Sequence, residues 1–275
     1  MNAPGTVVYG LVGRPLGHSF SRPYFMEKFA KEGRADHVYL HFELSRPEEL
    51  LPLVQRPGIR GLNVTSPYKR AVIPLMDTLS EEAAAVQAVN VIRVVHAAHG
   101  VRLEGFNTDV IGCRKALEAC LVRRREMHPD APTAREALVL GSGGGASAAC
   151  RALEQLGVAP HVVSRTSHGE WTYQTLRTGT MGRFQIIVQA TPLGMYPDTG
   201  RFPPIPYEGI LPHTLCFDLV YNPAETAFMK QCARQDAMVS SGLQMLHAQA
   251  EAAWQIWNDQ NLKSTPSPNV SLVRS

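Results

Sequence analysis

The sequence has no apolar run approaching the roughly 18 residues that a membrane-spanning helix needs. Met1 to Thr6 shows no basic stretch leading into an apolar one, so no secretory signal is expected. Neither sign of charge dominates: 27 Lys and Arg against 24 Asp and Glu leave a net charge of +3. That balance is too mild for a dedicated nucleic-acid surface. Cysteine is scarce and odd in number, at Cys113, Cys120, Cys150, Cys216 and Cys232, with no C-x-x-C pair. The spacing argues against a disulfide framework and against a zinc site, and reduced thiols packed as small apolar groups are expected. No repeat of fixed period is present. A cytoplasmic protein with neither a membrane nor a nucleic-acid partner is the expectation.

Apolar residues make up 44% of the 275 and charged residues only 19%, which supplies a sizeable core. The length fits two domains of about 100–150 residues each. Val7 to Gly13, Val38 to Leu44, Gly61 to Thr65 and Ala88 to Val95 read as strands. Ser21-Arg22-Pro23 reads as a helix start, with Ser21 as N-cap, and Tyr24, Phe25, Phe29 and Ala30 face inward. This is the rhythm of an α/β domain. A polar, turn-rich stretch from Arg123 to Pro132 then marks a boundary. Its arginine triplet reads as the solvated end of a helix.

Ala137 to Leu140 opens a second α/β unit, with further strands at Pro160 to Ser164, Phe184 to Ala190 and Leu215 to Leu219. A last helix from Gly242 to Trp257 carries a buried stripe of Leu243, Leu246, Ala250, Ala253 and Trp257. The expected organisation is residues 1–122 completed by 240–262, a second domain over 123–239, and a mobile tail at 263–275.

Gly141-Ser142-Gly143-Gly144-Gly145-Ala146 satisfies G-x-G-x-x-[GA] directly after an apolar strand. The first glycine permits a tight turn, the second lets a pyrophosphate approach the backbone, and Ala146 allows close packing of helix on strand. The helix that follows aims free N–H groups at the anion. The next strand ends Ser164-Arg165-Thr166, with no carboxylate until Glu170. Arg165 suits a 2′-phosphate, which favours NADP over NAD, although an exposed strand-end arginine would look the same.

Polar clusters stand where the strands of the first domain end. They are His18-Ser19-Phe20-Ser21, Asn63 to Lys69, Asn90, and Asn107-Thr108-Asp109. Taken singly, Ser21 or Asp109 could cap a helix, Lys69 could be a solvated lysine, and Asn90 could satisfy a buried backbone group. Their weight lies in occurring together and in order.

The ordered set resembles the shikimate dehydrogenase family. H-S-x-S, N-V-T-x-P-x-K, A-V-N, N-T-D, G-x-G-G, A-T-P-L-G-M, D-L-V-Y and G-x-x-M-L-x-x-Q-A run from His18 to Ala250. The resemblance implies two α/β domains, a substrate domain and a Rossmann-like one with a cleft between them. It implies reversible oxidation of the shikimate 3-hydroxyl with NADP, on the route to chorismate and the aromatic amino acids. By the same resemblance, Ser19 and Ser21 hold the substrate carboxylate with Tyr221. Thr65, Asn90 and Gln249 hold ring hydroxyls, and Lys69 with Asp109 forms the acid/base pair. Cofactor contacts are implied from Gly141, Ser142, Gly143, Gly144, Gly145, Ala146, Ser164, Arg165, Thr166, Thr191 and Gly242. No metal is implied, and a monomer or a homodimer fits.

The chemistry suits the pairing, because an alcohol releases hydride well only as its O–H proton is removed, and a lysine oriented by a carboxylate can take it. Two departures stand out. The family often reads N-R-T-x-x-[KR] at the ribose-phosphate loop, whereas here Ser164 replaces the asparagine and Gly169, beside His168, replaces the second base. Gly145 stands where alanine is common. An NAD-dependent quinate/shikimate dehydrogenase and a non-catalytic sensor on the same fold remain the competing readings.

Overall fold

The structure is a computed structural model and describes residues 5–17, 19–97, 100–166, 171–259 and 265–266. His18, His168 and Gly169 lie outside the described residues. So does the tail read as mobile, apart from residues 265–266.

The elements in chain order begin with β1 (Val7–Gly13), α1 (Ser21–Lys31), β2 (His37–Glu43), α2 (Leu50–Val54) and β3 (Ile59–Val64). Then come β4 (Thr78–Leu79), α3 (Glu81–Val86), β5 (Val91–Ala97), β6 (Gly100–Phe106) and α4 (Thr108–Met127). The chain continues through β7 (Glu136–Leu140), α5 (Gly144–Gln155), β8 (Ala159–Ser164), β9 (Trp171–Thr172), α6 (Thr178–Met181) and β10 (Ile186–Gln189). It ends with β11 (Leu215–Asp218), α7 (Ala227–Ala233), β12 (Met238–Ser241), α8 (Leu243–Asn258) and β13 (Thr265–Pro266). The chain forms two compact units, Met1–Thr108 with Ala250–Ser275, and Asp109–Gln249. Among the described residues no helix is long and apolar enough to cross a membrane.

The first unit holds a seven-stranded sheet in the order β13-β4-β6-β5-β3-β1-β2. β1 runs parallel to both β2 and β3, while β5 is antiparallel to β3 and β6. One face packs on Leu50, Leu53, Met76 and Ala83, the other on the aromatic layer of Phe25, Phe29, Trp254 and Trp257. Gly61 in β3 lets the Trp257 indole lie on the sheet, since a Cβ there would come within 2.3 Å of the ring. The indole N–H then donates to the Ile92 carbonyl at 3.1 Å. Arg93 closes the end of α8 by donating to the carbonyls of Ile256 and Asp259, and the buried Glu104 neutralises it.

The second unit is a fully parallel six-stranded sheet, order β12-β11-β10-β7-β8-β9. Counted from β7, that is the 3-2-1-4-5-6 order of a doubly wound dinucleotide fold, and the order reverses between β7 and β10. Its central strands β7, β10 and β11 are buried on both faces, which is why Ala137-Leu138-Val139-Leu140 and Ile186-Ile187-Val188 are unbroken apolar runs. The two-unit α/β architecture expected from the sequence is present.

Several local expectations differ. Ser21 is the first residue of α1 rather than its cap; Phe20 holds the cap position in helical conformation and gives no side-chain bond. Of the helix face, Phe25 and Phe29 are buried, Tyr24 is half-buried and Ala30 is exposed. The middle arginine of the triplet is not solvated: Arg124 is buried and donates to the carbonyls of His213 and Pro132 at 2.6 and 3.1 Å. The stripe of α8 begins at Met245, because Leu243 points outward with 43% exposure. β5 begins at Val91, so Asn90 lies just before the strand.

Candidate active site

In the first unit the loops after β1 and β3 press together. Gly13 allows this, since a Cβ there would meet the Thr65 Cγ2 at 2.4 Å, and Thr65 N–H donates to the Val12 carbonyl at 2.8 Å. Here the chain goes from β1 to β2 on one side and returns as β3 on the other, the kind of point at which open α/β sheets bind ligands. Ser19 turns its hydroxyl oxygen onto the Ser21 N–H at 3.2 Å, which satisfies one of the free N–H groups in the first turn of α1.

A buried line of polar groups runs beneath. The Ser21 hydroxyl hydrogen-bonds the Tyr39 phenol, Tyr39 donates to Asn63 Oδ1 at 2.7 Å, and Asn63 Nδ2 donates to the Asn90 carbonyl at 3.5 Å. Burial pushes the Tyr39 phenol far above its ordinary value, so it remains a donor. Asn90, 3% exposed, accepts the Thr108 N–H at 2.7 Å and donates to the Thr108 hydroxyl at 3.1 Å. Lys69 is half-buried, and its carbonyl accepts the Val89 N–H at 2.8 Å. The first unit therefore gathers Ser19, Thr65, Lys69 and Asn90 on loops, and Ser21 at the start of α1, at one end of its sheet.

In the second unit Asp109 sits half-buried in the first turn of α4. One turn on, Gly112 lets α8 come close: a Cβ there would lie 2.7 Å from the Met245 carbonyl and 2.9 Å from the Gln249 Cβ. This close approach sets Gln249 beside the start of α4. Tyr221 is half-buried after β11, and burial raises its phenol.

The glycine turn follows β7. Gly141 has φ +118°, and a side chain there would meet the Ala190 carbonyl and Thr191 Cγ2, both at 3.1 Å. Gly143 caps α5 in extended conformation, and space is open around both Gly143 and Gly144. Ser142 is exposed, a Cβ on Gly145 would touch Leu219 at 3.1 Å, and Ala146 is packed in the core. Arg165 and Thr166 are exposed at the end of β8, while the buried Ser164 hydroxyl donates to the Thr166 carbonyl. Half-buried Thr191 follows β10, and buried Gly242 passes so near Leu219 that a Cβ would meet its carbonyl at 2.3 Å. An open glycine cradle, a twelve-residue helix with no acid in its first turn, and a guanidinium with no carboxylate near it in sequence fit a dinucleotide bearing a 2′-phosphate.

A model of the shikimate dehydrogenase substrate binding domain matches residues 11–92. A protein of Halothermothrix orenii named shikimate dehydrogenase (NADP(+)) is 33% identical over 276 residues, covering 92% of this chain and 91% of that protein. The chain belongs to the shikimate dehydrogenase family. Among solved structures of the family, that of Aquifex aeolicus shikimate dehydrogenase superposes with a TM-score of 0.78 at 26% identity, covering 96% of each chain. Thermus thermophilus shikimate 5-dehydrogenase, solved with NADP(H) and shikimate, has a TM-score of 0.74 at 26% identity, covering 95% of this chain and 96% of that one.

Two buried polar residues, Tyr39 and Gln189, received no role in the sequence reading, and Asp218 entered it only as part of the D-L-V-Y motif. Gln189 and Asp218 each end an otherwise apolar strand, whereas Tyr39 lies in a mixed strand that also holds His37, His41 and Glu43, so no local pattern marks it.

Proposed function

We propose that this shikimate dehydrogenase family member oxidises the 3-hydroxyl of shikimate reversibly to 3-dehydroshikimate with NADP. NADP, when bound, accepts the hydride from the carbon that carries the hydroxyl. The observation that carries the reading is the open glycine cradle at the β7/β10 reversal, in a chain that also sets Lys69 and Asn90 on loops at one end of the first sheet.

Lys69 accepts the hydroxyl proton as the carbonyl forms and returns it in the reverse direction, and Asp109 orients its ammonium. Ser19, Ser21 and Tyr221 hold the substrate carboxylate. Thr65, Asn90 and Gln249 fix the ring hydroxyls, so that the reacting carbon has one orientation. The backbone from Gly141 to Ala146 receives the pyrophosphate, with Thr191 and Gly242 beside it. Ser164, Arg165 and Thr166 receive the 2′-phosphate. In this reading residues 1–122, completed by 240–262, form the substrate domain, and residues 123–239 form the NADP domain. The reaction takes place in the cytoplasm, on a monomer or a homodimer.

Purified protein given shikimate and NADP is expected to release the reduced nucleotide. Shikimate binding without turnover would mark a sensor instead.

A further inference from the structure

Gln189 ends β10, at the point where the strand order of the second sheet reverses. It is wholly buried, between Leu140 of β7 and Asp218 of β11 in the sheet register. Its side chain does not stay in the strand. The amide oxygen accepts the Thr191 N–H at 2.5 Å and the Thr191 hydroxyl at 2.8 Å. The amide nitrogen donates to the Thr191 carbonyl at 3.1 Å and the Leu193 carbonyl at 3.0 Å. A primary amide has two N–H donors and two acceptor lone pairs, and all four are spent within three residues of one loop. The Thr191 hydroxyl in turn accepts the Leu193 N–H at 3.3 Å.

That loop forms one wall of the glycine turn. Gly141 lies so close to Ala190 and Thr191 that a Cβ would touch both at 3.1 Å, so the position of Thr191 and the shape of the turn are set against each other. The same loop is tied to the one after β11, where the Tyr196 N–H donates to the Asn222 carbonyl at 3.1 Å, next to Tyr221.

We infer that Gln189 is a positioning residue for the dinucleotide site, folding the Ala190–Gly194 loop into a fixed wall opposite the glycine turn. The inference rests on the reading of that turn as the NADP site. Gln189 touches no ligand; it acts through Thr191. A glutamate in its place keeps the shape and both acceptors, but when ionised it offers no donor and faces two carbonyls. When protonated it regains one donor. A methionine keeps the bulk and leaves the loop's polar groups unpaired.

The test compares wild type with Gln189→Met and Gln189→Glu, measuring the NADP dissociation constant by calorimetry across pH, alongside thermal stability. Gln189→Met is expected to weaken NADP about tenfold or more in protein that is still folded. For Gln189→Glu, the ratio of variant to wild-type dissociation constants should fall towards one as pH drops and the glutamate protonates. The ratio is taken only where melting shows both proteins fully folded, so that it reports the site and not the stability, and the register neighbour Asp218 titrates in wild type as well. NADP binding by folded Gln189→Met within twofold of wild type would overturn the inference. If that variant does not fold, a Gln189→Glu ratio constant with pH would overturn it. Failure of wild type to bind NADP would instead overturn the cofactor assignment.

Discussion

Asn90 grips Thr108 with both ends of its amide: Oδ1 accepts the Thr108 N–H at 2.7 Å, and Nδ2 donates to the Thr108 hydroxyl at 3.1 Å. One buried side chain thereby fixes the residue that opens α4 and precedes Asp109. Asn90→Ala is expected to lower kcat/KM for shikimate about 100-fold, since both its own contact and the start of α4 are lost. Stability should fall by about 1–3 kcal/mol, the cost of unpairing buried polar groups. Steady-state kinetics on folded variant, with thermal melting alongside, check both; unchanged kcat/KM would remove Asn90 from the site.

Lys69→Ala is expected to retain shikimate binding and lose about 10²–10⁴-fold in kcat, the usual range for a general acid/base. Calorimetric titration with shikimate beside turnover measurements separates the two effects. Turnover equal to wild type would eliminate Lys69 from the proton transfer.

Gly112→Ala places a methyl group 2.7 Å from the Met245 carbonyl, a backbone atom that cannot rotate away. α8 must shift, and Gln249 with it. Overpacking of this kind costs about 1–3 kcal/mol, and KM for shikimate should rise. A variant with wild-type Tm and KM would show that the two helices are not held at this spacing.

Arg165→Ala is expected to weaken NADP about 10- to 100-fold while leaving NAD nearly unchanged, because only NADP carries the 2′-phosphate. Equal weakening of both nucleotides would place Arg165 elsewhere.

Asp218 is buried, and its carboxylate accepts from Val220 N–H at 2.9 Å and from the Thr226 hydroxyl at 2.6 Å. Burial pushes its pKa up from 3.8 to about 6, with the hydrogen bonds from Thr226 and Val220 opposing the rise. The folded protein therefore holds a proton that the unfolded chain has released between those two values. The contribution to stability is complete below pH 3.8 and is lost as pH rises through about 6. Wild type should lose stability relative to Asp218→Asn across that window and run parallel to it above. A constant difference across the window would show that Asp218 does not titrate in it.

Much of this was legible in the sequence because the signals were local. Apolar runs such as Val7 to Gly13 and Ala137 to Leu140 sit in strands buried on both faces, so composition alone locates them. The glycine turn is legible because its residues answer to backbone geometry, as the φ of +118° at Gly141 shows. What failed depended on which partner a side chain finds, whether near or far in sequence. Arg124 is buried because the His213 and Pro132 carbonyls lie in its reach, which no reading of an arginine triplet could reveal. Ser21 is the first residue of α1 and not its cap, and its N–H goes to the hydroxyl of Ser19, two residues earlier. Gln189 looked like one more strand residue, because the loop it folds lies beyond the strand.

The central claim is tested most directly by assaying purified protein with shikimate or quinate, each with NADP or NAD, and following the reduced nucleotide. The account predicts the highest kcat/KM for shikimate with NADP, with 3-dehydroshikimate as product. A preference for quinate with NAD, or no oxidation of shikimate with either nucleotide, would contradict it.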